Sequence, residues 1–123
     1  MRTRLLVYLA SFLLLAGALA GADFSGTWQF SVDLDDDAGH GDPVFVLKQD
    51  SGKLTGSYKG PLGEHEVTGT VSGDTATFGF EFKRDDMTLQ AVYTGKLAGD
   101  GKMNGTIRFE PEGPTGKWTA TRK

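Results

Sequence analysis

Hydrophobic and polar residues alternate with a period of two along most of the chain after residue 23. In segment 26–33, Trp28, Phe30 and Val32 share one side and polar residues occupy the other. Successive side chains of a β-strand point to opposite faces, so this alternation predicts a strand with one dry and one solvated face. No window of useful length carries a helical period. We therefore predict an all-β chain.

Eight alternating segments follow one another, separated by short connections rich in turn formers such as Gly73, Gly99 and Gly101. They are predicted at 26–33, 43–49, 53–60, 64–72, 75–83, 87–97, 102–110 and 115–122. Short connections favour neighbouring antiparallel strands, and closure of the sheet removes exposed edges. The prediction is an eight-stranded antiparallel up-and-down barrel. A sandwich of two sheets is the alternative.

Inward-facing glycines recur near one end of the predicted strands. We call that end, where the first strand enters, the base. Five of the six glycines lie near it, and Gly116 does not; the six are Gly26, Gly56, Gly69, Gly95, Gly105 and Gly116. Because glycine has no side chain, strands can bend sharply and approach closely there, so we expect the base to taper. The alternative is that these glycines only mark bulges.

The opposite end of the barrel, which we call the mouth, is predicted from segments 33–43, 60–64, 84–87 and 111–114. Segment 33–43 is the only long connection, and a long loop over one end of a barrel can act as a lid. Several inward positions fall near this end: Val32, Phe45, Tyr58, His65, Phe82, Arg84, Met87 and Phe109.

Residues 1–22 have the pattern of a secretory signal peptide. Arg2 and Arg4 precede an apolar stretch at 5–15, and small residues at 18–22 offer a cleavage site. We predict that this segment is removed and that residues 23–123 form one domain, exported to the periplasm or the extracellular space, with no membrane span in the mature chain. An uncleaved anchor is the alternative.

Composition excludes several classes of binding partner and chemistry for the mature domain. Loss of the two arginines takes the formal net charge from −3 to −5, and no basic stripe is present, which argues against nucleic acid. The chain has no cysteine, so disulfides, thiol catalysis and cysteine metal sites are excluded. The oligomeric state cannot be predicted from these features.

Short motifs resemble the calycin superfamily, which includes lipocalins, fatty-acid-binding proteins and avidins. Gly26-Thr27-Trp28 resembles the opening motif of lipocalins, and that likeness implies that Arg122 packs across Trp28 at the base. Segments 54–58, 77–80, 93–95 and 118–122 resemble successive avidin strands in order. The resemblance implies a lipocalin-like barrel with Trp28 and Trp118 buried near one another toward the base.

The avidin likeness does not extend to the biotin ligands. Phe30 stands where avidins have an asparagine, Arg84 replaces a tryptophan, and Leu89 and Ala91 replace polar ligands. Only Tyr58 matches a ligand position. Biotin binding is therefore not expected.

The acidic segment 33–42 partly resembles a calcium loop. Asp33, Asp35 and Asp37 match the first three ligand positions, but Ala38 and Val44 stand where a glycine and a bidentate glutamate are expected. A solvated acidic loop is favoured, and no spacing of histidines and carboxylates supports a zinc site.

No catalytic constellation is recognisable. The chain has no Gly-x-Ser-x-Gly elbow and no phosphate loop, and no nucleophile–base pair can be read from it. His65, inward near the mouth, is a candidate hydrogen-bond donor to a ligand or a general base, or a strand-end histidine that stays hydrated. We predict no cofactor and no enzymatic activity.

The leading hypothesis is a binding module that holds a small apolar or aromatic ligand at the mouth. The predicted ligand-binding residues are Tyr58, His65, Phe82, Arg84 and Phe109. The alternative is an envelope-associated scaffold with a filled barrel, and a third possibility is a cofactor-free enzyme on the same fold. The first two differ in cavity size: a mouth cavity well below roughly 300 Å³ favours the scaffold.

Overall fold

The computed structural model describes residues 23–123. The predicted signal peptide, residues 1–22, lies outside these described residues. Within them, no helix has the length and apolar character needed to cross a bilayer.

Residues 23–123 form nine strands and one short 3-10 turn at Asp35–Asp37. The strands are β1 (Gly26–Leu34), β2 (Gly39–Gly41), β3 (Val44–Asp50), β4 (Lys53–Gly60), β5 (Gly63–Ser72), β6 (Thr75–Arg84), β7 (Met87–Leu97), β8 (Lys102–Glu110) and β9 (Thr115–Arg122). Eight of them coincide with the predicted segments to within a residue at each end.

The sheet closes on itself. Strands β3 to β9 follow one another as antiparallel neighbours, and β1 lies between β3 and β9. The closing pair runs from Trp28 opposite Arg122 to Leu34 opposite Gly116. This confirms the eight-stranded antiparallel up-and-down barrel and excludes the two-sheet sandwich, since a sandwich leaves open edges between its sheets.

The long connection after β1 is not the loop predicted at 33–43. The chain reverses at Asp36 and Asp37, both with φ of 57°, a left-handed conformation that aspartate adopts more readily than most residues. It then forms β2, which pairs with β1 over Val32–Leu34. One edge of β1 is therefore shared: its first half pairs with β3 and its last residues pair with β2.

The interior is an aromatic cluster centred on Phe30. Its ring stacks on Trp118 with centroids 4.6 Å apart and lies 4.4 Å from the Phe45 ring. Phe78 and Tyr93 approach it edge-on at 6.2 and 5.8 Å. All five side chains are buried, including Phe30, Phe45 and Trp118, which were predicted to face inward or to be buried. Such rings bury large apolar areas, so this cluster supplies much of the stability of a domain that has no disulfide.

The base is closed as the lipocalin resemblance implies. Trp28 is fully buried and donates from Nε1 to the carbonyl of Phe24 at 2.9 Å. The guanidinium carbon of Arg122 lies 4.5 Å from the centre of the Trp28 ring, a cation–π contact. Arg122 also donates to the carbonyl of Asp23 at 2.8 Å, so it ties the start of the described chain to its last strand.

Glycines allow close approach of the strands near the base. A Cβ on Gly105 would lie 2.6 Å from the Cα of Gly95 and would strike the carbonyl of Thr94 on the neighbouring strand. A Cβ on Gly69 would lie 2.6 Å from the Cβ of Phe78. At Gly95 the obstacle is a side chain, since the Trp118 ring would lie 2.5 Å away. These positions therefore exclude any larger residue.

Replacement of these glycines is expected to destabilise the barrel. Gly69→Val and Gly105→Leu should each lower the free energy of unfolding by at least about 1–3 kcal/mol, because the added atoms meet main chain that cannot move aside. The exposed Thr70→Val on the same strand is the control, with an expected change below about 0.5 kcal/mol. Thermal unfolding of the three variants measures this, and equal midpoints would contradict the assignment of faces.

Candidate ligand-binding cavity

A cavity of about 410 Å³ opens at the mouth of the barrel. It is bordered by residues from all four segments predicted to form the mouth. The β1–β2 hairpin covers one side, the β4–β5 turn the second, and the β6–β7 turn and segment 112–114 the remainder. The volume lies above the roughly 300 Å³ at which small-molecule sites begin.

The walls of the cavity are mainly apolar. They are formed by aliphatic and aromatic side chains that point inward from the upper ends of the strands: Val32, Leu34, Phe82, Leu89, Ile107 and Phe109. Met87 borders the entrance and is 50% exposed, which is unusual for a large apolar side chain in this domain. An exposed apolar rim that leads into an apolar chamber suits an uncharged molecular body.

Charged side chains are confined to the entrance of the cavity. Arg84, Glu112 and His40 border it there. Ion pairs in residues 23–123 are formed by His40 with two aspartates and by Arg108 with Glu110, so Arg84 takes part in none of them. The Arg84 guanidinium therefore remains available for an anionic group at the rim.

The hairpin over the mouth is held by His40. Its Nδ1 lies 2.7 Å from a carboxylate oxygen of Asp33, and its Nε2 lies 3.0 Å from one of Asp42. Carboxylates only accept, so the two hydrogen bonds form together only when the ring is an imidazolium. The hydrogen bond to Asp33, with further contributions from Asp42, raises the pKa of His40 above its ordinary value. A bond from Thr115 to Asp35 at 2.7 Å fastens the tip to β9.

Two tyrosines from opposite sides of the barrel border the cavity from below. The Tyr58 hydroxyl accepts a hydrogen bond from the Leu62 amide at 3.2 Å. The Tyr93 hydroxyl has no hydrogen-bond partner within residues 23–123, although the side chain is only 2% exposed. Burial raises the pKa of both phenols, so both stay neutral at physiological pH.

The structure brings together four of the five predicted ligand-binding residues. Tyr58, Phe82, Arg84 and Phe109 all border the mouth cavity, whereas His65 does not. Their binding of a ligand stays a prediction.

His65 is engaged elsewhere because β5 and β6 separate toward the mouth. Their pairing ends at Thr68 opposite Gly79, and the His65 ring fills the widening gap by stacking on Phe80 with centroids 4.7 Å apart. Its Nε2 donates to the carbonyl of Leu62 at 2.7 Å. Leu62 is thus held through its amide by Tyr58 and through its carbonyl by His65, and it borders the cavity itself.

Sequence reasoning missed Tyr93 as a cavity residue. It was not among the inward residues predicted near the mouth, because it lies in the middle of β7. The depth of the cavity depends on how the rings of Phe45, Phe78 and Trp118 pack around it, and that packing leaves no trace in the sequence.

Three aspartates of the acidic segment 33–42 form hydrogen bonds within the protein. Asp33 and Asp42 bind His40, and Asp35 accepts from Thr115. In residues 23–123 no three histidine or carboxylate side chains are grouped so that they could hold a metal ion.

Of three comparisons with known proteins, the search of solved structures found a similar fold. A scan against protein-family models and a search of curated proteins gave no match. Among solved structures, the barrel is similar to rhizavidin in its complex with biotin, with a TM-score of 0.57 and 16% sequence identity, over 80% of this chain and 91% of that one. At this identity the likeness concerns the fold alone.

The raised pKa of His40 gives a pH dependence with a defined sign. A pKa above 6.5 in the folded protein means that the His40 bridge is fully formed below that pH and is lost as the pH rises through the raised value. NMR titration of the ring proton should show this. Asp33→Asn should lower the pKa of His40, whereas Asp100→Asn, the same charge change at the base, should leave it nearly unchanged. A wild-type pKa at or below 6.5 would refute the bridge.

The two tyrosines should respond differently to loss of their hydroxyls. Tyr58→Phe leaves the Leu62 amide without its acceptor and should lower the free energy of unfolding by about 0.5–1.5 kcal/mol. Tyr93→Phe removes a hydroxyl that has no partner among the described residues, so it should cause no loss of stability. Denaturant unfolding followed by tryptophan fluorescence compares them. A destabilised Tyr93→Phe would show that its hydroxyl is bonded to the protein.

Proposed function

We propose that this protein is an exported binding module that holds a small apolar or aromatic ligand in the mouth cavity of its barrel. The observation that carries the proposal is the cavity itself: about 410 Å³, walled by apolar side chains, with its polar groups at the floor and the rim. Ligand sites combine these two properties, a largely apolar wall and a few well-placed polar groups.

The proposed roles follow from position. Phe82 and Phe109 form the aromatic wall, with ring centroids 5.8 Å apart in an edge-to-face arrangement, and offer a face for a flat ligand. Arg84 attracts an anionic substituent at the entrance, and Tyr58 borders the cavity beside the β4–β5 turn. His65 acts indirectly, because it fixes the Leu62 carbonyl and so the shape of the β4–β5 turn.

Biotin, which the rhizavidin structure contains, is not the ligand we propose. Phe30 stands at one position where avidins carry a polar biotin ligand, and its ring is packed between Phe45 and Trp118. Leu89 and Ala91 make another such region apolar. Few groups remain that could satisfy the polar ring system of biotin, so an uncharged, less polar body is favoured.

The scaffold alternative requires a filled barrel. The aromatic cluster fills the middle and the base, yet the mouth is left open above it, which favours a binding module over a scaffold. Export is proposed from residues 1–22 and is tested separately, by the mass of the mature chain after secretion from a bacterial host.

Binding of 1-anilinonaphthalene-8-sulfonate tests the proposal. This probe combines an aromatic body with one anionic group, and its fluorescence rises in apolar surroundings. We expect saturable binding with one site per chain. Leu89→Trp, which fills the cavity from its wall, should weaken binding by about tenfold or more, equivalent to ~1.4 kcal/mol.

Val46→Trp is the matched control, since Val46 is 46% exposed on the outside of the barrel and does not border the cavity. Equal affinities of both variants, or absence of saturable binding to the wild type, would overturn the proposal. Native mass spectrometry of protein from its own host then identifies the natural ligand by the mass of its adduct.

A further inference from the structure

We infer that the ligand enters the mouth cavity with a neutral hydrogen-bonding oxygen, a carbonyl or a hydroxyl, at its leading end, and that the Tyr93 hydroxyl recognises this oxygen at the cavity floor. The inference rests on the function proposed above and specifies the chemical class of the ligand.

The first support is an unsatisfied polar group. Tyr93 is 98% buried by its neighbours, and its hydroxyl has no hydrogen-bond partner among residues 23–123. Buried tyrosine hydroxyls nearly always find a partner, because an unpaired one forfeits its hydration. The remaining source of a partner is the cavity that Tyr93 borders.

The second support is the direction of the side chain. The ring of Tyr93 stacks on Phe78 at 5.5 Å and meets the rings of Phe45 and Phe30 at 4.9 and 5.8 Å. These neighbours enclose its aromatic part, so the hydroxyl end is the part that meets the cavity. The Tyr58 hydroxyl lies on the mouth side, because it accepts from the Leu62 amide in the β4–β5 turn, and both tyrosines border the same cavity.

The third support concerns charge. The cations that border the cavity, Arg84 and His40, are exposed at its entrance. A carboxylate placed deep beside Tyr93 would lose its hydration without meeting a cation, and that cost is large. A neutral oxygen costs far less to desolvate, and it accepts directly from the neutral phenol. Any anionic group on the ligand is therefore expected near Arg84, at the opposite end of the molecule.

The same reasoning disfavours plain hydrocarbon tails. A hydrocarbon that reached the floor would cover the Tyr93 hydroxyl and leave it unpaired, which lowers affinity relative to an oxygen-bearing ligand of equal size. The cavity should therefore discriminate between ligands that differ by one oxygen at the leading end.

A pair of probes of nearly equal shape tests this. The first is 2-acetylnaphthalene, which carries a carbonyl, and the second is 2-isopropenylnaphthalene, which has a methylene group in place of the oxygen. Their affinities for the wild type and for Tyr93→Phe are measured by displacement of 1-anilinonaphthalene-8-sulfonate. For the wild type we expect the ketone to bind roughly 3- to 10-fold more tightly than the hydrocarbon, the contribution of one neutral hydrogen bond.

In Tyr93→Phe this preference should vanish through weaker binding of the ketone, while the hydrocarbon binds equally or better. A preference that persists in Tyr93→Phe but disappears in Tyr58→Phe would assign recognition to the other tyrosine and overturn the inference. Equal binding of both probes to the wild type would overturn it too and leave the proposed function standing. Failure of both probes to bind would contradict the proposed function itself.

Discussion

Pairing of the first strand with the last converts a meander into a closed barrel, and every other feature depends on the register of that pair. Trp28 lies opposite Arg122 and Val32 opposite Trp118, so the cation that covers the base and the indole that fills the middle are both positioned by one ladder. Because side chains alternate across a sheet, this register also matches the inward residues of β1 with those of β9. A slip of β1 by one residue would turn Trp28, Phe30 and Val32 toward solvent.

The barrel interior is packed in the middle and at the base but not at the mouth, and this difference creates the cavity. Around Phe30 the rings of Phe78 and Tyr93 approach edge-on, that of Phe45 is tilted and that of Trp118 is stacked, and all five side chains are buried. Toward the mouth the strands diverge, as the end of β5–β6 pairing at Thr68 shows, and inward side chains no longer reach across. The half-buried residues there line a space that the available side-chain volume cannot fill.

The strands could be predicted because each is a short alternating run bounded by turn residues, a local signal. Strand β2 could not be predicted, because Gly39-His40-Gly41 is too short to show an alternation. The contacts of His40 with Asp33 and Asp42 that accompany its pairing with β1 arise only in the folded chain. The mouth segments were found from strand direction alone. The roles of His65 and Tyr93 were not predicted. The role of His65 depends on a gap between two strands, and that of Tyr93 depends on how rings distant in sequence pack.

One edge of β1 pairs with β3 in its first half and with β2 at its end, so the β1–β2 hairpin can unfold while the barrel stays folded. Strand β2 is joined to the sheet by three residue pairs on β1. The hairpin is further held by the contacts of His40 with Asp33, by the bond from Thr115 to Asp35 and by the proximity of Gly41 to Pro61. The barrel ladders, by contrast, extend over many consecutive pairs around the full circumference. Sub-global unfolding of 35–42 therefore requires less free energy than global unfolding. Amide exchange with solvent is expected to be faster in this segment than in the barrel strands, and the entrance of the cavity can widen while the wall behind it stays folded.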